Sequence, residues 1–362
     1  MFDPRSLYER ALIERRGKLS GNYHNNVPMA VADVGEVVVR VPIDGMDVRD
    51  LRIWPEHQTL AVLGPLLAGL PRLLHHSESP RFQVQAFIGG AVLDELAPRG
   101  TRVPAHVIGD VVELMAGLCR VPQDRLPPAP DWWPGTGPAF GRLVSGATGH
   151  VVETVRAGAY AELYDRLGIP AAPLAVLDGL WSGLAARRFA PIHCDLHRKN
   201  MIVRGGRTRF LDWELCLLHG DPVYDLAIHL TKMGYLADEE DDLLGRWAEA
   251  VPAECSAGWS HDLPVYRAHE RIKAAVVDSV RYTKLIAAGD TAGRGTMIAS
   301  LTGKLNAAHE VWATGISLGR EAVEKAVAAV LASPPPFLSA WTPLRHPASS
   351  PRRPAIGGGP SP

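Results

Sequence analysis

The sequence predicts an α+β protein in two unequal parts, a small β-rich N-lobe over residues 1–88 and a larger, mainly helical C-lobe over residues 89–332. Three observations predict this. Short β-branched runs broken by turn residues fill the first part. Apolar residues then recur at three- and four-residue spacing from Val103 to Leu331. A glycine-tipped pair of short strands, Met201 to Arg204 and Arg207 to Leu211, interrupts the helices.

In the N-lobe, Leu7 to Arg16 has the spacing of an amphipathic helix. A polar turn-forming stretch, Ser20 to Asn26, follows. Met29 to Asp33 and Glu36 to Pro42 read as two strands turning at Gly35. Val48 to Leu63 reads as a helix and Phe82 to Ile88 as a strand that stops at Gly89-Gly90. In the C-lobe, helices are expected at Val103–Cys119, His150–Leu167, Leu174–Phe189, Tyr224–Met233, Asp238–Ala250, Pro264–Ala287, Thr291–Trp312 and Glu321–Leu331. The stretch from Pro122 to Gly141 reads as a long loop or insertion near a substrate cleft, with Trp132-Trp133 stacking on a ligand or anchoring the loop. Residues 333–362 are crowded with proline and end GGGPSP, the composition of a disordered tail.

The most informative segment runs from Pro191 to Ala227, PIHCDLHRKNMIVRGGRTRFLDWELCLLHGDPVYDLA. Gly205-Gly206 suits a two-residue hairpin, because glycine accepts positive φ at both positions. The hairpin folds the chain back, so Asn200 and Asp212 approach each other at its open end. Asp195, Asn200 and Asp212 then form the set a phosphoryl-transfer site needs: a carboxylate to orient a hydroxyl, and two oxygen ligands for Mg²⁺. His193 and His197 read as loop-ordering residues rather than metal ligands. Asp221-Pro222 reads as an N-cap with proline at N1. Glu214 is either a second metal ligand or a salt-bridged acid.

HCDLHRKN resembles the H-x-D-x-H-x-x-N loop of aminoglycoside phosphotransferase-like kinases. LDWE resembles their metal-binding segment, and GDPVYDLA the helix start that follows. The resemblance implies a bilobal protein-kinase-like fold. It implies Asp195 as catalytic base, Asn200 and Asp212 as magnesium ligands, and Asp225 as the acid that ties the catalytic loop down. By the same likeness, Arg40 on the second strand stands where kinases place a phosphate-binding lysine, with Glu56 as its ion-pair partner. Ser20, Asn22 and Asn25, in a loop with one glycine, would face the phosphates. Backbone groups of Gln85 to Phe87 would bind adenine, with Val27, Val39 and Ile202 covering the base.

A small hydroxylated acceptor is expected, since protein-kinase activation-loop features such as APE are absent. Arg198, Glu214, Glu270, Asp278 and Arg281 are the candidate substrate contacts, Glu270, Asp278 and Arg281 falling near one helix face. ATP or GTP with Mg²⁺ is the expected cofactor set. The expected role is inactivation of an aminoglycoside, nucleoside or peptide antibiotic. A metabolic kinase of choline, sugar or amino-acid type is the enzymatic alternative. A nucleotide-binding pseudoenzyme is the alternative of another class, raised by Arg40 and the degenerate phosphate loop.

The 362 residues carry a net charge of −1, which argues against general nucleic-acid binding. No apolar run approaches the roughly 20 residues of a membrane span. The N-terminus has early charges and no apolar core of a secretory signal. Cys119, Cys194, Cys216 and Cys255 are scattered without metal or redox spacing, as expected of reduced thiols in a cytoplasmic protein.

Overall fold

A computed structural model describes residues 2–14, 24–43, 51–289 and 293–332. Ser20, Asn22, the first residues of the expected 48–63 helix and the proline-rich 333–362 segment lie outside the described residues.

The N-terminal elements are α1 (Pro4–Glu14), β1 (His24–Val31), β2 (Gly35–Pro42), α2 (Glu56–Leu63), β3 (Leu73–Glu78) and β4 (Arg81–Ala86). The strands form a four-stranded antiparallel sheet in the order β1-β2-β4-β3. Side-chain alternation divides its faces. Val27, Met29, Val37, Val39, Val41, Phe82 and Val84 pack with Leu7 and Ala11 of α1 into a core of their own. Arg40 and Gln83 lie on the opposite face and meet Glu56 of α2. Val27 and Val39 therefore serve the α1 side, not the adenine-covering side the sequence reading gave them. The strand β3, reading LLHHSE, carries too few β-branched residues to be seen in the sequence.

The C-terminal elements are β5 (Ala91–Val92), α3 (Leu93–Leu96), α4 (His106–Arg120), α5 (Gly137–Arg156), α6 (Ala161–Arg166), α7 (Asp178–Trp181), β6 (Ala190–Ile192), β7 (Met201–Arg204), β8 (Arg207–Phe210), β9 (Leu217–Gly220), α8 (Pro222–Met233), α9 (Ala237–Ala250), α10 (Ala253–Ser256), α11 (Trp259–Ala287), α12 (Arg294–Trp312) and α13 (Arg320–Ala332). Their buried faces share one large core, which also takes Trp54, Leu60 and Leu63 from the α2 region. The α2 helix thus bridges both parts: its first turn meets the sheet, and its apolar side belongs to the helical lobe.

Some boundaries differ from the sequence reading. Helix α5 starts inside the expected loop because Thr136 caps it, accepting a hydrogen bond from Ala139 N at 3.4 Å. Trp133 anchors the preceding loop by donating to His219 O at 2.6 Å. The expected Leu174–Phe189 helix is reduced to a 3₁₀ turn and the four-residue α7. Its apolar pattern is real, but Leu177, Trp181 and Leu184 reach the core from an irregular path. Helix α11 begins before Pro264 rather than at it, since a proline in the second turn costs only one intrahelical bond.

The β7–β8 hairpin positions the site. Gly205 (φ 57°) and Gly206 (φ 71°) form its turn. Asp110 of α4 accepts from Thr208 N at 2.7 Å and fixes the hairpin to the helical core. Where the chain leaves the sheet, Gly90 lies against β7, and a Cβ there would stand 2.6 Å from both Ile202 and Val203. Ile202 is buried under this crossing.

Candidate active site

The loop from His193 to Asn200 is held from below by Asp225. Its carboxylate accepts from His193 N at 3.1 Å and Cys194 N at 2.8 Å. Burial raises the Asp225 pKa above the usual carboxylate range, against the lowering effect of His193 and these two bonds. His193 Nδ1 accepts from Asp195 N at 3.2 Å, while Nε2 meets Leu211 O at 3.0 Å. Burial lowers the His193 pKa, so the ring orders the loop as a neutral group. Cys194 sits at φ 62°. Burial pushes its thiol well above the ordinary value, which removes it as a nucleophile at neutral pH.

Asp195 is paired with a residue the sequence reading missed. Lys232 Nζ lies 2.5 Å from Asp195 Oδ1, and His197 Nε2 lies 3.5 Å away. Burial acts to raise the Asp195 pKa, but Lys232 and then His197 outweigh it and hold the group far below the usual range. His197 Nδ1 also accepts from Lys199 N, capping the short 198–200 turn.

Asn200 donates its amide to Asp195 O at 2.9 Å and Asp195 Oδ2 at 3.2 Å. Leu211 N donates to Asn200 O at 2.8 Å, which brings the residue before Asp212 against Asn200. Asp212 is left-handed at φ 64°. Its Oδ1 receives Arg40 Nη2 at 2.8 Å. Arg40 Nε lies 3.3 Å from Glu56 Oε2, and Glu56 Oε1 accepts from Trp213 N at 3.0 Å. Burial opposes the Arg40 charge, but Glu56 and then Asp212 overcome it and raise the pKa, so the group stays cationic.

The remaining site candidates fall into different places. Glu214 is committed to the N-terminal lobe, with His24 at 2.8 Å and Arg52 at 3.0 Å, and is a bridging acid rather than a substrate contact. Asn25 lies on β1 opposite Val41, not in a loop. Gln85 is buried in β4, and the N–H groups of Ala86 and Phe87 donate to Arg72 O and Glu36 O. Those two donors are spent inside the sheet and are not free for the adenine contacts expected at Gln85–Phe87. Arg198 is 2% exposed and points away from the cleft. Its guanidinium donates to the carbonyls of Met233, Ala97, Pro98 and Thr101. Asp278 pairs with Arg281 at 2.8 Å and with Lys304 of α12, so this pair joins two helices and does not approach Asp195. Glu270 is buried beside His269, and its pKa is lowered to about 2, since Lys273, His269 and Lys232 together outweigh burial. Lys273 lines a small cleft with Thr148, Cys194, Leu215 and Tyr224, next to the His193–Asn200 loop.

Among the described residues, neither Asn200 Oδ1 nor Asp212 Oδ2 has a hydrogen-bond donor from the protein. Three carboxylates (Glu56, Asp212, Glu214) face two guanidinium groups (Arg40, Arg52) here. Spare oxygen ligands and a surplus of negative charge fit a hard divalent cation.

A bilobal fold with an acid on a tied-down loop, and with amide and acid oxygens across a hairpin, defines a phosphotransferase of the kinase-like class. The sequence matches the phosphotransferase enzyme family (APH) over residues 17–269, and the chain belongs to that family. Its reaction is transfer of a phosphoryl group to an alcohol of a small molecule. No curated protein matches the sequence. Among solved structures, an ethanolamine kinase of Plasmodium vivax is similar at 14% identity and TM-score 0.54, covering 79% of this chain and 80% of that one. The gentamicin–APH(2")-IIa complex gives 12%, 0.52, 83% and 96%. A choline/ethanolamine kinase family protein of Mesorhizobium loti gives 15%, 0.51, 91% and 98%. These likenesses show the fold. No helix among the described residues is long and apolar enough to cross a membrane.

Proposed function

We propose that this protein uses ATP or GTP with Mg²⁺ to phosphorylate a hydroxyl of a small antibiotic. The observation that carries the catalytic part is Asp195, held ionised by Lys232 and His197 within reach of Asn200. An acid with so low a pKa is a weak base. It orients the acceptor O–H through a hydrogen bond and takes the proton late, as the oxygen–phosphorus bond forms and the nucleoside diphosphate leaves. That order suits a loose transition state, in which alignment and charge neutralisation do most of the work.

Asn200 Oδ1 and Asp212 Oδ2 would hold Mg²⁺, which when bound neutralises phosphate charge. Arg40 stays charged and is aimed by Glu56 toward Asp212. Lys232 adds a cation on the acceptor side. Support for an antibiotic acceptor comes from the gentamicin complex among the similar structures. The second reading, a metabolic alcohol kinase, has its support in the ethanolamine kinase likeness. A panel of hydroxylated antibiotics and of choline-, sugar- and amino-acid-type alcohols, assayed for Mg²⁺-dependent nucleotide consumption, decides between them. Turnover on antibiotics is expected; turnover on metabolites alone overturns that acceptor, and nucleotide binding without turnover on either class overturns both.

A further inference from the structure

At the free edge of the four-stranded sheet, away from the catalytic loop, three metal-ligating side chains converge. His57 stands in the first turn of α2. His76 and Glu78 are two residues apart on the edge strand β3, so they share a face, and it is the face turned to α2. One ligand atom from each lies within 4.8 Å of the others. The His57 and His76 rings stack with centroids 4.0 Å apart and 10° between planes, so one ring turns about its side-chain torsions to bring both nitrogens onto one ion. His57 Nε2 is 3.9 Å from Glu78 Oε1.

The arrangement needs a reason. Among the described residues neither imidazole makes a hydrogen bond. Stacked imidazoles repel once protonated. Two imidazole nitrogens and one carboxylate oxygen are a donor set for zinc-type ions, not for magnesium or calcium.

We propose that His57, His76 and Glu78 bind one divalent transition-metal ion of the zinc type, with water completing its shell. Such an ion would pin α2 to β3. The helix has only eight residues, and Pro55 gives it no side-chain cap. Its first residue is Glu56, which holds Arg40 and Trp213 N. A metal at His57 would therefore steady the partner of Arg40 one residue away, making this a distal site that sets the nucleotide-facing cation.

The test uses full-length protein without a polyhistidine tag, stripped with a chelator and held in saturating Mg²⁺. Zn²⁺ is titrated in competition with a chromophoric chelator, and thermal unfolding is followed in parallel. One equivalent with micromolar or tighter affinity is expected, with a rise in Tm. His57→Ala and His76→Ala should each weaken binding at least about tenfold. Glu78→Gln, at a 67% exposed position that tolerates exchange, should weaken it too. Asp212→Asn should keep the tight equivalent. The proposal is overturned if the wild type takes up no Zn²⁺ at micromolar concentrations. It is equally overturned if variants with unchanged metal-free Tm bind as the wild type does, or if Asp212→Asn alone removes the equivalent.

Discussion

The catalytic loop and the strand that faces it hold their charged groups in opposite ways. Under the loop, one face of α8 does nearly everything. Asp225, His229 and Lys232 stand at i, i+4 and i+7, and they meet His193 and Cys194 N, Leu196 O and Asp195 in turn. Two of these side chains fix the loop backbone, and the third pairs with the Asp195 carboxylate. Across the cleft, Arg40 is held by carboxylates alone, one from α2 and two from the opposite lobe. Its position depends on how α2 and the hairpin sit against each other. The loop is tied to one helix at several points, and the strand side is an electrostatic joint between the two lobes.

The contrast predicts where substitutions act. Asp195→Ala should lower kcat by about three decades and leave nucleotide affinity within a few-fold, because the proposed role sets the acid against the acceptor and not the nucleotide. Steady-state kinetics with calorimetric nucleotide binding measure both; a matched loss of binding would erase the division of labour. Next in size, Asp225→Ala leaves two buried loop N–H groups without an acceptor and should cost roughly 2–4 kcal/mol in urea unfolding. A loss under 1 kcal/mol would mean the loop is held by something else.

The His229 ring gives a pH signature. Burial lowers its pKa from 6.5 to about 4. The unfolded chain binds this proton below pH 6.5 and the folded chain does not until about 4, so stability falls as pH drops through that window. The loss is about 3 kcal/mol at 1.36 kcal/mol per pKa unit. Urea unfolding at pH 7.5 and 5 should show a shallower slope for His229→Gln than for wild type; equal slopes would place the proton elsewhere. Smallest, Arg40→Ala should weaken nucleotide binding about tenfold with a lesser change in kcat. A decades-wide fall in kcat would make the joint as catalytic as the loop.

What the sequence revealed follows the same division. The hairpin, its glycine turn and the capped start of α8 depend on residues next to one another, and their signals are local. Lys232 was missed because a lysine in the last turn of a helix already has an explanation in the helix dipole. Its spacing from Asp225 was the available clue. Arg198 misled in the other direction: close to Asp195 in sequence, its extended β-like neighbour His197 turns it inward onto carbonyls of the 97–101 and 233–234 stretches. The pairing of Asp278 with Lys304, and the turn of Val27 and Val39 toward α1, depend on elements far away in the chain, and no local pattern encodes them.

Nucleotide binding titrated against Mg²⁺, for wild type and Asp212→Asn, tests the metal site without knowledge of the acceptor. Wild-type affinity should rise at least tenfold with Mg²⁺, and the variant should lose most of that gain. A variant whose affinity climbs with Mg²⁺ as the wild type's does would contradict a cation held between Asn200 and Asp212.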